Sequence, residues 1–153
     1  MSLVLTSCAH APPSPPRGDL IALVTAILDH DGGDPDSPAG RVLGPAPFLL
    51  QAEIGSGPLR IPPEAVVNRP GWNLQTADAL QSLADARGTP VYYAVITDLN
   101  ISGDVATVVF GSDIRVPSRE RNVVIVCCEL ATDEYERTSR GWKFVKRISV
   151  VAS

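Results

Sequence analysis

The residue types best suited to chemistry in this chain are two adjacent cysteines and two histidines. Cys127 and Cys128 lie in an apolar stretch, and the histidines are His10 and His30. Neighbouring side chains of a strand point to opposite faces, so these thiols cannot chelate one metal ion, and a disulfide between them would be strained. A nucleophilic thiol also needs a nearby base or cation. We therefore interpret both cysteines as small apolar strand residues, at least one of them buried.

Three carboxylates of the predicted strands are candidates for acid–base chemistry. Asp98 and Asp113 flank the first predicted hairpin, and Glu129 lies on the next strand. General acid–base catalysis requires such groups to converge within hydrogen-bonding distance, which depends on tertiary geometry, whereas the pattern itself is typical of exposed strand carboxylates. His30 follows a predicted helix, whose C-terminus interacts favourably with a histidine. The sequence predicts no catalytic residue.

The common catalytic and cofactor motifs are absent from the sequence. It has no Gly-x-Ser-x-Gly, no phosphate-binding loop, no His/Cys metal cluster and no dinucleotide fingerprint. The acidic stretch 29–36 resembles a calcium loop, but Gly33 and Gly40 stand where an EF-hand needs acidic ligands. We interpret this stretch as a solvated turn. The sequence therefore predicts no metal and no cofactor, and it favours a protein that is not an enzyme.

Two segments have the apolar spacing of amphipathic helices. The first follows Asp19, a favourable N-cap, and extends over 20–29. The second follows Asn73 as its predicted N-cap and ends at Gly88, with Pro90 just beyond. We expect both helices to pack against one sheet.

Strand-like alternation dominates the rest of the chain. Strands are predicted at 47–54, 91–101, 105–110, 123–130 and 142–151, with a continuation of the fourth through 135–137 left open. In the last strand, one face holds Trp142, Phe144, Ile148 and Val150, and the other holds Lys143 and Arg147. This order predicts an α+β domain with helices packed on one curved antiparallel sheet of four to five strands. We expect Trp142 to be buried against the second helix.

The first 18 residues differ in composition from the remainder. Residues 9–18 are Pro-rich and predict an extended spacer, so residues 1–18 form a disordered leader and 19–153 one domain. The segment Leu-Thr-Ser-Cys ending at Cys8 resembles the lipobox of bacterial lipoproteins. This resemblance implies a lipid on Cys8 and a tether to the bacterial cell envelope. Residues 1–7 are shorter than a complete signal, so either the true signal lies upstream or the segment is an ordinary frayed terminus of a cytoplasmic protein.

The C-terminal half carries a second resemblance. Gly-Asp-Val-Ala-Thr-Val-Val at 103–109 and Arg-Gly-Trp-Lys-Phe at 140–144 are similar to segments of the cone-shaped domains of the nuclear-transport-factor-two superfamily. Over 91–151 the resemblance implies a curved sheet closed around a helix. That superfamily includes enzymes with Asp/His pairs inside the cone as well as non-catalytic binding and accessory domains. No such pair is matched here residue by residue.

Composition limits the classes of partner. The net charge is −4 without a basic stripe, which argues against nucleic acid because phosphate binding needs clustered Lys and Arg. No apolar run reaches the roughly 18–20 residues of a membrane-spanning helix, so membrane contact is predicted only through a lipid on Cys8. The partner is expected to be a small molecule or a protein.

Three functional hypotheses follow from these features. The first is an envelope-tethered accessory or ligand-binding domain, which the leader favours. The second is a small acid–base enzyme with carboxylates in a cone pocket, which a buried carboxylate cluster would favour. The third is an intracellular interaction domain that forms a homodimer through sheet faces.

Overall fold

The computed structural model describes residues 13–152 apart from 32–35, 38, 45, 121 and 123–126. The helices are α1 (Arg17–Asp31), α2 (Gly40–Leu43) and α3 (Ala77–Arg87). The strands are β1 (Phe48–Gln51), β2 (Trp72–Gln75), β3 (Val91–Ser102), β4 (Val105–Arg115), β5 (Glu129–Thr138) and β6 (Gly141–Ala152). Single turns of 3-10 helix lie at Pro63–Ala65 and Ser118–Glu120. The lipobox-like segment with Cys8, and also His10, lie outside the described residues.

The strands form one curved, mixed sheet in the order β2-β1-β3-β4-β5-β6. Strands β3 to β6 are an antiparallel meander, whereas β1 pairs in parallel with both β2 and β3. The α+β class is confirmed, but the sheet formed by the described residues has six strands rather than four to five and is not purely antiparallel. The additional short strand β2 begins two residues after Pro70, and its four residues are too few for periodicity to indicate a strand.

The helix boundaries follow capping chemistry. Helix α3 begins after Thr76, whose hydroxyl accepts a hydrogen bond from the Ala79 N–H at 3.1 Å. Asn73, the predicted N-cap, instead belongs to β2. Helix α1 begins at Arg17, ahead of the predicted cap Asp19, and the Arg17 guanidinium contacts Glu64 at 2.6 Å, so contacts with the domain begin by residue 17. None of the helices among the described residues is both long enough and apolar enough to cross a membrane.

The sheet carries helices on both faces. Along β3, Ala94 and Ile96 pack into the larger core with α1, whereas Tyr93 and Val95 pack on the opposite face with α3, because alternate strand residues point to opposite sides. Helices α1 and α3 therefore pack on opposite faces of the sheet. Trp142 is buried as predicted, but it belongs to the core cluster of α1 rather than that of the second long helix.

Candidate functional site

The three carboxylates singled out from the sequence do not form a common site. Asp98 accepts a hydrogen bond from the backbone N–H of its neighbour Leu99, and Asp113 accepts one from the Tyr93 hydroxyl at 3.1 Å. Glu129 instead pairs with Arg41 at 2.8 Å, at the start of β5. The three carboxylates lie on three different strands, and each has a different partner, as expected for structural carboxylates.

A different set of polar side chains converges where the end of α1 meets β5 and β6. We call His30, Asp31, Asp133, Tyr135 and Arg147 the inner polar cluster. Both carboxylate oxygens of Asp133 accept hydrogen bonds from Arg147, at 2.8 Å from Nε and 2.9 Å from Nη2. The same Nη2 lies 3.4 Å from Oδ1 of Asp31. The carboxylate side chains are 2% and 1% exposed for Asp133 and Asp31, while Arg147 is 28% exposed. The cluster therefore holds two buried anions on one cation.

His30 brings an ionisable ring to these carboxylates. One ring nitrogen of His30 and one carboxylate oxygen from each of Asp31 and Asp133 all lie within 4.8 Å of one another. The imidazole stacks on the ring of Phe144, with centroids 3.8 Å apart and planes inclined by 14°. His30 is half-buried, so it connects the buried anions with the surface. An imidazole held in a fixed orientation beside a carboxylate is an arrangement that transfers protons.

Tyr135 completes the cluster. Its side chain is 1% exposed, and its ring meets Phe144 edge-on at a centroid distance of 5.8 Å. Within the described residues its hydroxyl has no hydrogen-bond partner. Burial, followed by the charges of Asp31 and Asp133, raises the pKa of this phenol far above its ordinary value. The hydroxyl therefore remains a hydrogen-bond donor at any ordinary pH.

Two β-bulges build the cluster. The register passes from Thr132 opposite Ser149 to Asp133 opposite Arg147, and the next shift places Phe144 opposite Tyr135. In a regular ladder Asp133 would face Ile148, and the charged pair would not form. The prediction that Arg147 shares the outer face with Lys143, and that Ile148 points inward, was therefore wrong: Ile148 is 52% exposed.

The cluster also has the donor set of a metal site, but the positive charge of Arg147 favours proton transfer over metal binding. His30, Asp31 and Asp133 offer one nitrogen and two carboxylate oxygens, which suits a divalent ion. The Arg147 guanidinium already binds both oxygens of Asp133, and it would repel a second cation at that position. The geometry fits proton transfer better than metal binding, and the absence of metal and cofactor stays a prediction.

The cysteines differ from expectation. Cys127 and Cys128 precede β5 and are joined to each other by a disulfide. Placing them in a strand was wrong because β5 begins only at Glu129, and the alternation that separates neighbouring side chains applies within strands. Cys128 is buried, as expected for at least one of them. In the disulfide form neither sulfur is a thiolate nucleophile.

Sequence reasoning missed the cluster although weak signals were present. His30 is followed directly by Asp31, and Asp133 and Tyr135 alternate with the buried Ala131 along β5. An aspartate at a core-facing strand position is unusual and marks a paired or functional charge. No sequence pattern, however, indicates that the end of α1 meets this part of β5.

A comparison of the chain with protein-family models, curated proteins and solved structures finds no match in any of the three. The resemblances to lipoproteins and to cone-shaped domains thus rest on short motifs alone. Any assignment of function depends on the inner polar cluster itself.

Proposed function

We propose that this protein is a small acid–base enzyme in which His30 exchanges a proton with a bound small molecule. The observation that supports this proposal is the convergence of a half-buried imidazole with two buried carboxylates. Buried charged groups away from any function are rare because desolvation destabilises them. Such groups cluster at sites of catalysis and binding.

Each member of the cluster has a distinct part in this chemistry. His30 receives or donates the proton, and its stacking on Phe144 holds the ring in one orientation. Asp31 and Asp133 lie where they stabilise an imidazolium as it forms. Arg147 positions Asp133 through its two hydrogen bonds. These residues come from α1, β5 and β6, so the core of the domain fixes their relative geometry.

Proton transfer can be tested without knowing the natural substrate. The protein is incubated in D2O with a panel of weak carbon acids, including ketones, β-diketones and nitroalkanes, and deuterium incorporation is followed by NMR. A positioned base contributes about 100-fold or more to such a step, so His30→Gln should lose most of any acceleration. His10→Gln is the matched control and should keep it. Exchange no faster than in buffer, or equal rates for wild type and His30→Gln, would overturn the proposal.

A tether at Cys8 is proposed alongside this activity. The segment that ends at Cys8 and the Pro-rich stretch after it support an envelope-anchored domain. In this arrangement the enzyme acts at the cell envelope on a small molecule.

A further inference from the structure

The hydroxyl of Tyr135 is an unusual feature of this core. Its side chain is buried, and within the described part of the chain the hydroxyl oxygen makes no hydrogen bond. Buried polar groups in proteins are almost always satisfied, because leaving one without a partner is destabilising. Tyr93, which is equally buried at 1% exposure, donates its hydroxyl hydrogen to Asp113. The contrast shows that this fold readily satisfies a buried tyrosine elsewhere.

The position of Tyr135 relates this donor to the inner polar cluster. It lies two residues from Asp133 on the same face of β5, and the charges of Asp31, Asp133 and Arg147 all act on its hydroxyl. Its ring contacts the edge of Phe144, and His30 stacks on the face of the same ring. The rings of Tyr135, the donor, and of His30, the acid–base group, are therefore both held against Phe144.

The net charge of the cluster restricts what can accept this hydrogen. With the His30 imidazole in its neutral form, Asp31 and Asp133 together carry two negative charges, against one positive charge on Arg147. An anionic ligand would meet net negative charge in a low-dielectric environment and would be repelled. An uncharged oxygen acceptor meets no such repulsion, and it satisfies the phenol.

We propose that the inner polar cluster selects an uncharged ligand, whose acceptor oxygen binds the hydroxyl of Tyr135 and whose acidic hydrogen faces His30. This inference rests on the proposed function, since it takes the cluster to be a ligand site. It adds the substrate class, an uncharged oxygen-containing molecule, and it assigns Tyr135 as the group that recognises the oxygen.

The first test measures stability without a ligand. Tyr135→Phe removes the hydroxyl and keeps the ring, so its urea midpoint should equal or exceed that of wild type. Tyr93→Phe is the matched control, and it should lower the midpoint because it leaves the Asp113 contact unmade. A midpoint for Tyr135→Phe as low as that of Tyr93→Phe would show that the Tyr135 hydroxyl is already bound within the protein, which would overturn the inference.

The second test uses two probes of similar size, cyclohexanone and cyclohexanecarboxylate, in saturation-transfer NMR at neutral pH. Wild type should bind the ketone and not the carboxylate, and Tyr135→Phe should weaken ketone binding about tenfold, the loss expected for one hydrogen bond. No ketone binding to wild type, equal binding by the variant, or preference for the carboxylate would each overturn the inference. Tyr135-dependent ketone binding without deuterium exchange would instead refute only the proposed proton transfer.

Discussion

At the scale of single residues, Arg147 sets the charge balance of the inner polar cluster. It is the shared partner of Asp31 and Asp133, and both carboxylates are almost fully buried. Removing one partner of a buried ion pair is more costly than the pair is worth, because the remaining charge stays desolvated. Removing Arg147 and removing either aspartate should therefore destabilise the domain by different amounts.

We expect Arg147→Met to destabilise the domain by about 3–5 kcal/mol, because it leaves two buried carboxylates without their cation. Asp133→Asn should cost less, since Arg147 is 28% exposed and still faces Asp31. Urea denaturation of both variants measures the difference. A smaller loss for Arg147→Met than for Asp133→Asn would show that the carboxylates are neutralised by another route.

A second residue-scale prediction concerns acid stability. Arg137 binds the carboxylate of Asp19 at 2.6 Å and 3.0 Å, and this hydrogen bonding holds the pKa of Asp19 below its ordinary value. The unfolded chain therefore binds a proton more readily than the folded one. The stabilisation is present above the ordinary aspartate pKa of about 3.9 and is lost as the pH falls through the folded-state value.

Asp19→Asn should accordingly lower the free energy of unfolding at pH 7 by up to about 1 kcal/mol, the range of partly exposed pairs. The deficit should shrink below about pH 4. Asp98→Asn is the control, since Asp98 is exposed and accepts only from Leu99 N–H among the hydrogen bonds resolved here. If Asp19→Asn lowered the free energy of unfolding by the same amount at every pH, the predicted coupling between Asp19 ionisation and folding would be contradicted.

At the scale of elements, the approach of β4 to β5 depends on a small residue. A Cβ atom at Gly111 would overlap the carbonyl group of Glu129. Gly111→Ala should therefore destabilise by about 1–3 kcal/mol or more through overpacking against backbone. Gly103→Ala is a useful comparison, because its Cβ meets no atom and only its positive φ of 61° opposes the change. Stability is measured by thermal unfolding. If Gly111→Ala and Gly103→Ala destabilised the protein equally, β4 and β5 would have to move apart to accommodate the added methyl group.

Trp142 is a buried residue of β6 in the core cluster of α1. It is 8% exposed, and the guanidinium of Arg137 lies 4.5 Å from its ring. Trp142→Ala should cost about 3–5 kcal/mol, as expected for a buried large aromatic. Trp72→Ala, at a partly buried position on the edge strand β2, should cost less. A loss below about 1 kcal/mol for Trp142 would contradict its place in the core.

At the scale of the whole molecule, the sheet is covered on both sides, and the inner polar cluster lies on the α1 side. This arrangement leaves α3 and its core free of the proposed chemistry. The leader is joined to the α1 side, since α1 is the first element of the domain. A lipid on Cys8 would thus connect through the Pro-rich segment to the helix that carries His30.

The tether leads to a labelling prediction. Expressed in a bacterium from its natural start, the protein should incorporate labelled fatty acid and fractionate with membranes, whereas Cys8→Ser should be unlabelled and soluble. Cys127→Ser is the matched control and should remain labelled. An unlabelled wild-type protein found wholly in the cytosol would exclude the tether.

Local sequence determined the long elements. The helices near 20–29 and 77–87 and the strands β3, β4 and β6 follow from periodicity, because helix and strand geometry relate residues only a few positions apart. The α+β class follows from their order. Burial of Trp142 was predictable for the same reason, since alternation places it on an apolar face.

The tertiary structure decided which faces meet and which charges converge. Nothing local indicates that α1 and α3 pack on opposite sides, that β1 pairs in parallel, or that bulges turn Arg147 inward opposite Asp133. The meeting of His30 with Asp133 joins residues far apart in the chain, and it depends on how the end of α1 packs against β5 and β6. Such contacts arise from the summed packing of the core rather than from any short segment, so the candidate site became visible only in the folded protein.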